Sequence, residues 1–275
     1  MKPIIGNFVL GAGLVLALAR PDTGQALDTN KFSWVDSLGK GFDSITFAPT
    51  STNAVVLTNK PVWESSISLG FTLTHGNSDS LLATGSIQTH TKTPHDELGL
   101  GADGAYGESD SVQNVNTAHG FIQYNHLFND RFFGYLRADA LHDEIADLQY
   151  RITLSPGAGY YFLRRTNTTF AVELGPAMVF ERLGDKDNNY VTARLAERFE
   201  YKFVTSSARV WESAEILPQI NEFNNYVINA QFGLEAIVTK KISLQAYVQD
   251  SYLNEPAPDR QQNDLKIVSG LKYKF

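Results

Sequence analysis

From residue 62 to the end of the chain, apolar and polar residues alternate with a period of two. In "VWESSISLGFTLT" (62–74), Trp63, Ile67, Leu69, Phe71 and Leu73 share one side with Ser65; Glu64, Ser66, Ser68, Gly70, Thr72 and Thr74 share the other. In "NYVINAQFGLEAIV" (225–238), Ile228, Ala230, Phe232, Leu234 and Ala236 alternate with Asn229, Gln231, Gly233 and Glu235. The last eleven residues, "LKIVSGLKYKF", put Leu265, Ile267, Leu271, Tyr273 and Phe275 on one side and Lys266, Lys272 and Lys274 on the other. Successive side chains of a strand point to opposite faces, so this pattern marks strands with one greasy and one polar side.

About twelve such strands are predicted, near 62–75, 79–91, 97–107, 116–128, 131–142, 148–163, 168–183, 190–204, 208–218, 226–238, 241–253 and 264–275. Many reach the roughly 9–11 residues that a tilted strand needs to cross a bilayer. The connections alternate in character. One set is short ("ND" at 129–130, "RRTN", "TKK"); the other is longer on average ("GESDSVQNVN", "GDKDNN", "QINEFNN", "NEPAPDRQQND"). Long loops on one side and short turns on the other are expected of an outer-membrane barrel, and an even strand number returns both ends of the barrel to the periplasmic side. Closure also explains a chain that ends on a bare strand: the last strand pairs with the first and leaves no free edge. The expected fold is all-β, an antiparallel up-and-down transmembrane barrel of about twelve strands over 62–275, preceded by a short helical or irregular segment.

Upstream, "MKPIIGNFVLGAGLVLALARPDTGQA" reads as a signal peptide over 1–26, with Gly24 and Ala26 as the small residues before the cleavage point. Residues 27–61 follow as a periplasmic segment or plug, with Phe32, Val35, Leu38 and Phe42 at weakly helical spacing. A net charge of −7 argues against nucleic acid as a partner. The absence of cysteine removes disulfides, thiolate metal sites and cysteine nucleophiles.

Trp63, the "GNSDS" turn at 76–80 and "FNDRFFGYLRADALHDEIADLQYRITLSPGAGYYFL" at 128–163 carry a resemblance to domain-of-unknown-function family 481, often labelled salt-induced outer-membrane protein. The resemblance covers roughly residues 62–275. It implies a bacterial outer-membrane barrel and a link to salt or osmotic conditions, with no substrate or catalytic residues to carry over. Leu271, Tyr273 and Phe275 likewise resemble the C-terminal signal that such barrels present to their assembly machinery.

The polar side of the strands holds the candidate functional residues. Arg137, Asp139, Arg151, Glu173, Arg194, Arg198 and Glu235 are expected to face the lumen, with Glu64, Asp103, Glu181, Glu200, Lys202, Lys266 and Lys272. Mixed charges inside a narrow barrel either pair into a filled core or line a water path whose selectivity they tune. Arg137, Arg151, Arg194 and Arg198 are the candidates for a constriction. Tyr135, Tyr161 and Tyr247 are the expected lumenal aromatics. Glu197 falls on the greasy side of its strand, so either a bulge turns it inward or it sits near the membrane boundary. "DKDNN" at 185–189 opens like a calcium loop but has Tyr190 and Ala196 at the sixth and twelfth places, where Gly and Glu belong. His90, His95, Asp96 and Glu97 cluster around a turn, and read as turn chemistry rather than a metal site.

No cofactor is implied. Expected partners are outer-membrane lipid and lipopolysaccharide, the barrel assembly machinery, and small ions or solutes. The two functional readings are a narrow pore or structural envelope protein, and a lipid hydrolase at the barrel rim. The second would draw on His75, Asn77 and Ser78, or on His142, Asp143 and Glu144.

Overall fold

A computed structural model describes residues 62–74, 80–203, 207–256 and 262–275. The signal-like segment 1–26, the segment 27–61 and the turn holding His75, Asn77 and Ser78 lie outside the described residues. Twelve strands follow one another: β1 (Val62–Thr74), β2 (Ser80–Lys92), β3 (Asp96–Ser109), β4 (Val112–Leu127), β5 (Phe132–Asp143), β6 (Leu148–Arg164), β7 (Thr168–Leu183), β8 (Lys186–Phe203), β9 (Ala208–Gln219), β10 (Glu222–Ile237), β11 (Ile242–Leu253) and β12 (Asn263–Lys274). Each pairs antiparallel with its sequence neighbours, and β12 closes on β1 to complete a barrel.

The alternation predicts nearly every strand end. The main departure is at the rim opposite the chain termini, here the distal rim. Of the connections expected to be long there, "GESDSVQNVN" is a two-residue turn. Asp110 and Ser111 both take left-handed backbone angles (φ 49 and 65), the mirror-image turn whose twist matches the flanking strands. "GDKDNN" likewise turns at 184–185, and "QINEFNN" at 220–221. Polar residues assigned to loops are instead strand residues, because pairing satisfies their backbone groups whatever their side chains prefer.

The outer face is greasy. Leu69, Phe71, Leu136, Leu174, Leu234, Leu244 and Leu271 are all exposed. Around the rim that carries Val62 and Phe275, here the terminal rim, Trp63, Phe128, Phe132, Tyr160, Phe162, Phe203, Tyr273 and Phe275 form an exposed aromatic ring. A closed sheet wearing an apolar band edged by aromatics suits a bilayer, where every backbone group must be satisfied within the wall. Leu271, Tyr273 and Phe275 all belong to this outer face. Phe275 donates its backbone N–H to Ser65 at 3.0 Å, and its ring stacks on Tyr273.

Glu197 keeps its outward register, opposite Val172 and Ala214, without the bulge that would turn it in. Glu212 on β9 shares that face. The closing seam is the shortest pairing. It runs only from Ser66↔Lys274 to Gly70↔Gly270, whereas β1 and β2 pair from Val62↔Lys92 to Thr74↔Ser80. At Gly270 a Cβ would lie 2.2 Å from the Leu69 carbonyl oxygen, so the close approach of the two backbones requires glycine there.

Candidate functional site

Eight-stranded barrels are filled by their own side chains, and sixteen-stranded ones enclose an aqueous channel. At twelve strands the size of the inward side chains decides. All of the residues expected to face inward do so. Arg137, Glu173, Glu235 and Arg194 are almost wholly buried.

At mid-height these groups join into one chain of contacts. His119 bridges Asp103 (Nδ1, 3.0 Å) and Asp139 (Nε2, 3.3 Å). Arg137 donates to Asp139 at 2.7 Å through Nε, and to Gln123 at 3.3 Å. Gln123 donates to Glu173 at 3.0 Å. Glu173 accepts from Arg194 at 2.8 Å and also from Arg198. Arg194 reaches on to Glu215 at 2.8 Å, Asn229 donates to Glu215 at 3.3 Å, and Ser251 donates to Asn229 at 2.7 Å. The chain links β3, β4, β5, β7, β8, β9, β10 and β11. Buried charges of this kind survive only when paired and hydrogen-bonded, and here each carboxylate meets a donor.

Of the constriction candidates, Arg137, Arg194 and Arg198 therefore meet in one network. Arg151 stands apart near the distal rim, donating to Glu181 at 2.7 Å; the Tyr190 hydroxyl donates to the same carboxylate at 3.2 Å. Glu235 belongs to a second layer near the terminal rim, where Arg209, Lys272 and Lys274 surround it.

The sequence reading missed part of this wall. Phe121, Phe133 and Trp211 also point inward, beyond the three tyrosines expected. The alternation places apolar residues on the outer side of each strand, and phenylalanine and tryptophan carry no charge to mark an exception. The available signal was glycine on the neighbouring strand: the Phe133 ring lies where a Cβ of Gly159 would stand, 2.2 Å away, so the ring lies flat on the wall. Arginines then lie over the rings, Arg137 5.0 Å from the Phe121 centroid, Arg194 5.4 Å from Tyr135 and Arg209 5.0 Å from Trp211. His119 was missed because nothing local marks it; only β3 and β5 bring its two carboxylates.

The rest of the circle, β12, β1 and β2, presents mostly short side chains at mid-height: Val268, Gly270, Ser68, Gly70, Thr84 and Ser86. A cavity runs along this wall, from Lys266 and Thr117 toward Lys272 and Arg209, and another lies against the network itself, lined by His119, Asp139, Arg151, Arg194 and Glu215.

Of the hydrolase candidates, the described ones do not converge. His142 Nδ1–H donates to the Gln149 carbonyl at 2.9 Å on the outer face, while Asp143 points inward and accepts from the Ala146 N–H at 2.9 Å. Asp96 and Glu97 also face opposite ways, Asp96 toward Tyr124 (2.6 Å) and His126, Glu97 toward the lumen and Tyr161 (2.7 Å). Among the described residues, no three metal-ligating side chains gather. In "DKDNN", Asp187 accepts from Tyr150 at 3.5 Å and Asn188 donates to Glu181 at 3.5 Å.

Compared with known proteins, residues 67–275 match the family described as "Protein of unknown function, DUF481". No curated protein matches. Among solved structures, the chain is similar to the KdgM porin in complex with disordered oligogalacturonate, at 14% identity over 77% of this chain and 99% of that one, with a TM-score of 0.46. It is similar to the NanC porin at 10% identity, over 77% of this chain and 98% of that one, with a TM-score of 0.45. The translocator domain of the autotransporter NalP from Neisseria meningitidis matches at 12% identity, over 82% and 92% of the two chains, with a TM-score of 0.39.

Proposed function

Because the chain belongs to the DUF481 family, which carries no assigned activity, we propose from the lumen itself that this protein is a narrow outer-membrane channel for small polar solutes. The observation that carries the reading is the unequal lumen: a charged, cross-linked wall over β3–β11 faces a wall over β12, β1 and β2 whose mid-height side chains are short, and cavities lie along both. Solutes pass beside the arginine network rather than through it. Paired charges hold the opening narrow, and serine, threonine and glutamine side chains on the open side replace part of a solute's hydration. The test is conductance of the purified, folded barrel in a planar bilayer. Small ohmic steps are expected; electrical silence of protein that still migrates as a folded, heat-modifiable species would overturn the reading.

The terminal rim is periplasmic in this proposal, with Phe275 as the end that the assembly machinery reads. Since the chain has no cysteine, single cysteines report sidedness cleanly. In intact cells a membrane-impermeant maleimide should label Asp185→Cys at the distal rim and spare Lys240→Cys at the terminal rim. The reverse pattern would invert the orientation. The salt-linked role belongs to the same proposal: a strain lacking the gene should differ from its parent in growth at raised salt.

A further inference from the structure

The ion pairs of the lumen are not symmetric with respect to water. Near the terminal rim, the cation of most pairs is more open to solvent than its carboxylate. Lys92 and Arg164 are 31% and 32% exposed over Glu97 at 9%. Lys202 is 22% exposed over Glu200 at 4%, and Lys274 31% over Glu235 at 0%. At mid-height the order reverses on β3 to β5, where Asp139 is 20% exposed and its partner Arg137 2%, though not at Arg198, 18% exposed over Glu173 at 2%. Asp103 is similarly open while His119 is buried. Three described acids at the terminal rim break the order found there: Glu64 on the inner face is 38% exposed and faces His90 at 3.4 Å, Asp96 is exposed on the outer face, and Asp130 is exposed in the β4–β5 turn.

Counting charges would miss this, because pairs cancel on paper. A solute in the lumen meets the solvent-facing member of each pair first, and the low dielectric around a buried charge does not remove the nearer one. The terminal half of the lumen is therefore a cationic surface laid over buried carboxylates. It also holds a cavity lined by His90, Lys92, Tyr161 and Arg198, with the sunken carboxylates Glu97 and Glu200 in its wall. Arg164 extends this surface over the Tyr161 ring, 5.1 Å from its centroid. The Arg198 guanidinium, 18% exposed, supplies a planar donor group on this wall beside the lysine, the donor geometry that carboxylate and phosphate oxygens accept from.

We propose that the terminal half of the lumen is a binding site for a small multivalent anion, a solute bearing carboxylate or phosphate groups, and that the partly exposed, paired carboxylates of Asp103 and Asp139 form the barrier it meets beyond. The site deepens the channel reading and rests on it for its role in transport, but binding itself does not require conduction. A channel with cations at one end and acids at mid-height treats its two sides unequally. A multivalent anion entering from the terminal rim reaches the site directly; one entering from the distal rim must first pass Asp139.

The experiment uses the full chain in a planar bilayer, with orientation reported by impermeant thiol modification of Lys240→Cys. Citrate and inorganic pyrophosphate are added to one compartment at a time. Block from the terminal-rim side is expected at concentrations at least about tenfold lower than from the distal side, as charge-paired multivalent ligands allow. Lys92→Gln with Lys274→Gln should abolish that asymmetry, while Asp139→Asn should make distal-side block stronger. Equal block from both sides, or stronger terminal-side block by spermidine than by citrate, overturns the site. If the wild-type channel is silent, the channel reading falls alone. Calorimetric titration of the folded barrel with pyrophosphate in detergent then decides the anion site: saturable heat that Lys92→Gln with Lys274→Gln removes supports it, and no heat overturns it. Citrate bound without pyrophosphate marks a carboxylate site, and the converse a phosphate site; both uphold the proposal.

Discussion

The two walls of the barrel lumen are built on opposite terms. From β3 round to β11, side chains reach across the interior and bond to one another, with Glu173 as the node where Gln123, Arg194 and Arg198 converge. From β12 through β1 to β2, the inward residues at mid-height are short, and the barrel closes through a seam of five paired residues centred on Ser68 and Lys272. The first wall is held by side chains, the second by backbone pairing and close approach. The laced wall can be rigid without help from its neighbour. The bare wall leaves room for water and solute because it gives up side-chain bonding, and it stays closed because Gly70 and Gly270 bring two backbones together.

The contrast is broken most severely at its node. Glu173→Ala removes a carboxylate shared by Arg194 and Arg198 and the acceptor of Gln123, while Arg194 keeps Glu215, a loss of about 3 kcal/mol, the low end of the general cost of breaking a buried pair. Unfolding of the barrel in urea with lipid vesicles should show it as a lower midpoint. Ser68→Ala on the opposite wall should change that midpoint by no more than about 0.5 kcal/mol, the range of substitutions that break no named interaction. Equal effects at both positions would mean the walls do not differ.

Next comes the seam. Gly270→Val adds a Cβ where the Leu69 oxygen and Gly70 Cα already stand, 2.2 and 2.8 Å away. Overpacking of this kind costs about 1–3 kcal/mol, and here it should part β1 from β12. Hydrogen exchange should then quicken in β1 and β12 and stay slow in β7. Uniform quickening would show that the barrel opens as one unit rather than at its seam.

The smallest change in stability, with a clear change in function, belongs to the open wall. Ser68→Trp should fill the cavity and remove most of the conductance while the protein folds normally. Ser155→Ala, on the laced wall, should leave conductance as it is. Retained current in Ser68→Trp would place the path elsewhere.

Legibility in the sequence divides along the same line. The twelve strands, their inward faces and the outward Leu271, Tyr273 and Phe275 could be read directly. So could the inward placing of Arg137, Glu173, Arg194 and Glu235. Phe133 and Trp211 could not, since a greasy residue facing inward looks like a break in pattern until its flat neighbour is known. The distal turn at Asp110–Ser111 was hidden because polar strand residues look like loop.

What the sequence determined by itself is the face of most polar strand residues. The two-residue period is a property of the strand, and it slips only at bulges such as that between Tyr161 and Leu163. What only the tertiary structure decided is which charges meet, and which member of each pair is wet. Those depend on the stagger of strands around a closed barrel and on contacts across the lumen. Glu97 reaching Arg164, or Gln123 reaching Glu173, joins residues far apart in the chain. No local pattern encodes such a meeting, because its geometry exists only once the last strand has closed on the first.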